Sequence, residues 1–262
     1  ENADQRPTDF YKTDLDDSAW GEINVPGMWE LQGYGDPAYI NVGYVWRGHF
    51  KNNPPYTPNE RNHVGSYRRI ITIPANWDGK QVIAHFGSVT SNMYLWVNGH
   101  FVGYGEDSKS AMEFDITPFL KKGDNLIAFQ TFRWCDGSYL EGQDMWHLSG
   151  IHRDVYLVAT PKVFVSDHYI TSSLNDEATS GSMSVKLTVD NRNNVSTTKT
   201  LQVSLLDRDG KEIATETETY TGTSTTEKTV TFSGLSNLHP WSAEDPYLYT
   251  VVVSQKDENE AE

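Results

Sequence analysis

The sequence predicts an all-β protein built from two sandwiches in series, and three observations carry that reading. Apolar residues recur at two-residue spacing in short runs rich in Val, Ile, Thr and aromatic side chains, the pattern of half-buried strands. No long segment has a helical period; residues 116–120 offer one helical turn at most. Composition also breaks near Pro161. Of the eight Trp, seven precede residue 160, whereas the chain from Val163 onward is rich in Ser and Thr. The break divides the chain into residues 1–160 and 161–262, each large enough to bury a core.

In the first part, residues 67–73 and 81–86 read as strands joined through Pro74 and Gly79. Residues 94–97, Asn98-Gly99 and residues 100–102 form a strand, a turn and a return strand; Asn-Gly suits the positive φ angles of a two-residue hairpin loop. Gly103-Tyr104-Gly105 then reads as a turn, because a dinucleotide fingerprint would need a helix to follow. Residues 126–132 and 155–158 complete two sheets. In the second part, residues 184–189, 201–205, 211–214 (after Asp209-Gly210), 229–232 and 248–253 lead to an immunoglobulin-like sandwich of about seven strands at 8–12-residue spacing.

Charge and composition remove several function classes. The chain has 262 residues, 21 Lys+Arg, 36 Asp+Glu and a formal net charge of −15. A surface this acidic repels a phosphate backbone, so nucleic acid is not an expected partner. No apolar run approaches the roughly 18–20 residues of a membrane span, which predicts a soluble protein without assigning it to cytoplasm or periplasm. A single cysteine, Cys135, excludes an internal disulfide framework. The first residue is Glu, not Met, consistent with an upstream segment.

Common catalytic signatures are missing: no Gly-x-Ser-x-Gly elbow, no His-Glu-x-x-His, no phosphate loop. His147 and His152 lack a third ligand at zinc spacing. Asn194-Val195-Ser196 fits a glycosylation acceptor by pattern alone. Residues 36–44 and 133–151 are more informative, since both mix Trp and Tyr with carboxylates and amides over irregular stretches. Ordering such segments costs backbone entropy that binding or packing must offset. A sugar fits the residue types: its C–H face stacks on aromatic rings, and its hydroxyls need Asp and Asn partners. A folded loop whose carboxylates cap backbone N–H groups accounts for the same residues.

These segments closely resemble the N-terminal region of the multidomain β-galactosidases of glycoside hydrolase family 2. The resemblance runs through Val25-Pro26-Gly27-Met28-Trp29, Tyr39-Ile40-Asn41-Val42, residues 95–108, Arg133-Trp134-Cys135-Asp136-Gly137-Ser138-Tyr139, Gln143-Asp144-Met145-Trp146 and Ser149-Gly150-Ile151-His152-Arg153-Asp154. It continues more weakly to residues 240–249. It implies a sugar-binding jelly roll at 1–160 and an immunoglobulin-like domain at 161–262, followed in the parent by a (β/α)8 barrel that supplies the acid/base and nucleophile glutamates of retaining hydrolysis. On that resemblance this chain holds no catalytic residue, is inactive alone, and Glu141 with Asp144 is not the catalytic pair.

The resemblance further implies that Asn41 and Asp144 contact galactose, and that Asp144 also supplies part of a sodium site. Asp136 matches a magnesium ligand, although Glu106 stands where a family member carries Gln. The implied substrate is a terminal β-galactoside, the implied partner is the barrel of the same parent, and relatives are often homo-oligomers. A family 2 β-glucuronidase or β-mannosidase, or a stand-alone carbohydrate-binding adhesin, are the alternatives.

Overall fold

The computed structural model describes residues 2–257, and the chain divides into two compact units, Glu1–Ala159 and Thr160–Glu262. Among the described residues there is no α-helix, and no helix is long and apolar enough to cross a membrane.

The first unit has strands β1 (Gly27–Met28), β2 (Ala38–Ile40), β3 (Val64–Ile73), β4 (Gln81–Phe86), β5 (Val89–Thr90), β6 (Asn92–Val97), β7 (His100–Glu106), β8 (Met112–Asp115), β9 (Gly123–Phe132), β10 (Met145–His147), β11 (Gly150–Ile151) and β12 (Val155–Thr160). They form a four-stranded sheet in the order β3-β9-β6-β7, three-stranded sheets β12-β4-β8 and β1-β11-β5, and a two-stranded ribbon β10-β2. Alternation explains the core. Val82, Ala84 and Phe86 on β4 and Met93, Leu95 and Val97 on β6 are buried together with Ile116 and Ile151. Burying each large aliphatic or aromatic side chain contributes about 1.5–3 kcal/mol. Residues 116–120 contain a 3-10 turn, Thr117–Phe119.

At the Asn98-Gly99 hairpin both residues have positive φ, 51° and 85°, and Val97 pairs with His100. Asn98 also anchors the turn from within: its Nδ2 donates to the Phe119 carbonyl (2.9 Å) and to Asn125 Oδ1 (2.8 Å). The expected turn at Gly103-Tyr104-Gly105 is instead the middle of β7. These glycines serve packing: a Cβ at Gly103 would lie 2.9 Å from the Phe114 ring, and one at Gly105 2.6 Å from the Met112 sulfur. A glycine in a strand often marks such a close approach.

The second unit has six strands among the described residues rather than about seven: β13 (Phe164–Leu174), β14 (Ser180–Asp190), β15 (Thr197–Leu206), β16 (Glu212–Gly222), β17 (Thr226–Ser236) and β18 (Thr250–Asp257). They form sheets β13-β14-β17 and β16-β15-β18 over a core that includes Val185, Leu187, Leu201, Val203, Tyr220 and Phe232. Buried Tyr220 is satisfied at its hydroxyl, which accepts from Asn191 Nδ2 (2.7 Å) and donates to the Ser224 carbonyl (2.8 Å). The strand expected from Leu248 starts at Thr250. The residues before it are held irregular by Asp245, which accepts from Arg208 Nη2 (2.9 Å) and pairs with His239 Nε2 (2.7 Å).

Candidate carbohydrate site

The two aromatic and polar segments singled out in the sequence meet in the first unit. Ribbon β2-β10 pairs Met145 with Ile40, Trp146 with Tyr39 and His147 with Ala38. The pairing ends at Ile40 and Met145, so Asn41 follows one strand and Asp144 precedes the other at the same end of the ribbon, although more than a hundred residues separate them. Asp144 has a left-handed backbone, φ 51°. The Tyr39 hydroxyl donates to its Oδ1 at 2.6 Å, and that bond to the carboxylate holds the Tyr39 phenol above its ordinary pKa. The Tyr39 and Trp146 rings lie 5.6 Å apart at 54°, and both are half exposed (51% and 59%). The ribbon end therefore presents an amide, a carboxylate with one oxygen already engaged, and two open aromatic faces.

Packing beneath the ribbon shows what orders these long segments. Trp46 is fully buried, with the Tyr139 ring at 4.9 Å and the Trp134 ring at 5.6 Å, both edge-on. Tyr44 meets Tyr139 at 4.8 Å. The Tyr139 hydroxyl donates to the Tyr56 carbonyl (2.7 Å) and accepts from the Asn53 amide (3.0 Å). Buried Asn62 pairs with the Trp134 backbone in both directions, at 2.9 and 3.0 Å. Residues 41–56 and 133–147 are thus one packed body, and it fixes the ribbon that carries Asn41 and Asp144.

A cavity of about 190 Å³ is lined by residues of the same segment, among them Arg133, Trp134, Glu141, Trp146 and His147. Burial lowers the pKa of His147, and its Nε2, like Arg133 Nε, has no hydrogen-bond partner among the described residues.

Asp136 lies elsewhere, in the 3-10 turn Asp136–Tyr139. Ligand atoms of Glu106, Cys135 and Asp136 fall within 4.8 Å of one another. Burial, and then a hydrogen bond shared with Asp136, raise the Glu106 carboxyl, while Tyr104 donates to its Oε1. Burial likewise raises the Cys135 thiol. Two carboxylates suit magnesium, which keeps several waters and binds through one or two such groups; a protonated thiol does not contribute. Sequence reasoning missed Tyr39 as the partner of Asp144, although it stands two residues before Asn41.

Two sandwiches in series, the first carrying exposed aromatic faces beside a carboxylate and an amide, have the residue types that contact a sugar. Comparison with known proteins is more specific. The family model described as "Glycosyl hydrolases family 2, sugar binding domain" matches residues 1–161, and "Glycosyl hydrolases family 2" matches residues 163–262. The chain belongs to glycoside hydrolase family 2. It is 40% identical over 259 residues to a β-galactosidase of Priestia megaterium, covering 98% of this chain and 25% of that protein. It is 38% identical to one from Streptococcus thermophilus, covering 99% and 25%. The chain therefore spans about a quarter of the length of these relatives. Among solved structures, a Bacteroides uniformis β-glucuronidase matches with TM-score 0.77 at 22% identity, over 97% of this chain and 29% of that one. A Bacteroides fragilis putative β-galactosidase matches with TM-score 0.68 at 23% identity, over 86% and 39%. At these identities the structures speak for the fold alone.

Proposed function

We propose that the chain is the sugar-facing front of a retaining β-galactosidase that cleaves terminal β-D-galactosides. The observation that carries this is the Tyr39–Asp144 hydrogen bond across the ribbon, at the end where Asn41 follows one strand and Asp144 precedes the other. In this reading Asn41 and Asp144 bind galactosyl hydroxyls, and the bond-breaking glutamates belong to the barrel of the same parent. Residues 1–160 form the sugar-binding domain and residues 161–262 the immunoglobulin-like one. The relatives near 40% identity, all named β-galactosidases, favour this activity over the glucuronidase alternative.

Asp144 suits a double duty. Its Oδ1 is held by Tyr39, which leaves Oδ2 for a sodium ion or a sugar hydroxyl, and hard cations take carboxylate oxygens. Sodium there would offset carboxylate charge beside the sugar; the other ligands would come from the parent. Asp136 with Glu106 would hold magnesium away from the ribbon, its charge relieving the repulsion between the two carboxylates.

The test is Asp144→Asn in the full-length parent. Losing a charge-assisted hydrogen bond lowers kcat/KM by roughly ten- to more than a hundredfold, and the sodium dependence of activity shrinks with it. The same substitution leaves the melting temperature of the 262-residue chain unchanged. A destabilised chain beside a kinetically normal enzyme would overturn the assignment.

A further inference from the structure

A second concavity, apart from the ribbon, opens on the first unit. Its volume is about 500 Å³, and its walls include Trp20, Trp29, Tyr34, His63, Ser66 and Tyr67. None of Tyr39, Asn41 or Asp144 lines it. Trp20 and Tyr34 are 37% and 49% exposed, so aromatic faces remain open to a ligand. Glycine brings the rim together: a Cβ at Gly21 would stand 3.0 Å from the Tyr34 hydroxyl, and one at Gly35 3.2 Å from His63 Nδ1. On the floor, Trp29 Nε1 donates to the Tyr67 hydroxyl. Burial pushes that phenol up to about 12, so it keeps its proton and remains a donor.

The lining selects the ligand class. It contains no Asp, Glu, Lys or Arg; its titratable wall groups are the Tyr34 and Tyr67 phenols and the His63 imidazole, and Glu30 is the acidic group that acts on the Tyr67 phenol. The chain's net charge of −15 further disfavours anions. Open aromatic faces beside hydroxyl and imidazole groups suit a molecule with an apolar C–H face and neutral hydroxyls. The volume lies within the roughly 300–1,000 Å³ of small-ligand sites. We propose that the Trp20–Tyr34 groove is an accessory binding site for a neutral oligosaccharide, independent of the site at Asn41 and Asp144.

The test titrates the 262-residue chain with lactose, cellotriose and glucuronate, following Trp fluorescence and saturation-transfer NMR. Saturable binding of the neutral sugars is expected, with glucuronate weaker. Trp20→Ala and Tyr34→Ala each weaken binding by about two- to tenfold, as expected for one aromatic contact. Trp20→Tyr and Tyr34→Phe retain most of it. Both residues are partly exposed, and unchanged melting temperatures confirm that the variants fold. Asp144→Asn leaves this binding intact while lowering kcat/KM in the parent as expected for the ribbon, so the two readings fail separately. No saturable binding of a neutral sugar, binding that follows Asp144→Asn instead of Trp20→Ala, or preference for an extended peptide over sugars would each overturn the proposal.

Discussion

Truncating Trp46 tests whether the aromatic body is what orders the candidate site. The indole is fully buried, makes edge-on contacts with Trp134 (5.6 Å) and Tyr139 (4.9 Å), and donates from Nε1 to Asn52 Oδ1 at 3.0 Å. Trp46→Ala forfeits this burial, leaves a cavity, and removes three aromatic pairs, with Tyr44, Trp134 and Tyr139, worth about 0.5–1.5 kcal/mol each. Core Trp→Ala changes cost about 3–5 kcal/mol in total. For a unit of this size each kcal/mol lowers the melting temperature by about 2–4 °C, so the first unit should melt roughly 6–20 °C earlier. Scanning calorimetry reads the shift, and hydrogen exchange locates it. The Asn53 amide, bonded to the Tyr139 hydroxyl, loses protection, while the Leu187 and Val203 amides in the second unit keep theirs. A variant that melts within about 2 °C of wild type with Asn53 still protected would show that the body does not organise residues 41–56, and the structural account of the site would fall with it.

Two further outcomes follow from the titrating groups. Asp144→Asn removes the carboxylate that holds the Tyr39 phenol high, so ultraviolet difference titration should find Tyr39 ionising closer to the ordinary tyrosine value; an unmoved titration would deny the Tyr39–Asp144 bond. His152 is pushed down to about 4, by burial and then by Lys109, and its Nε2 meets the Thr90 hydroxyl at 2.8 Å. Because the folded value lies below the unfolded 6.5, the unfolded chain binds more protons between about pH 6.5 and 4, and stability falls on acidification through that window. His152→Gln flattens this part of the plot of melting temperature against pH, and an unchanged slope would contradict the burial of a neutral ring.

The parts of the fold visible in the sequence are those where one face of a strand is dry and the other wet. Strands β4, β6 and β14 announce themselves because Val82, Met93 and Val185 recur with neighbours at two-residue spacing, and Asn98-Gly99 specifies its own turn. Strand β13 gives no such signal: nine of its eleven residues, from Ser166 to Leu174, are exposed, so no alternation is imposed on it. Gly103 and Gly105 misdirect for a related reason. A glycine kept for positive φ and one kept so that Phe114 or Met112 can approach look alike until the neighbouring strand is known.

The candidate site is legible in a different way. Its residue types, and the family resemblance around Asn41 and Asp144, stand in the sequence, but their meeting does not. Ribbon β2-β10 is three residues long on each side, too short for a periodic signal, and a slip of one residue would turn its side chains to the other face. What fixes its register is the packing of Trp46 against Trp134 and Tyr139, and the bonds of Asn62 to the Trp134 backbone. Buried aromatics therefore position the polar residues proposed to face a ligand. Damage to Asn41 or Asp144 should change binding at constant stability, whereas damage to Trp46 should change both together.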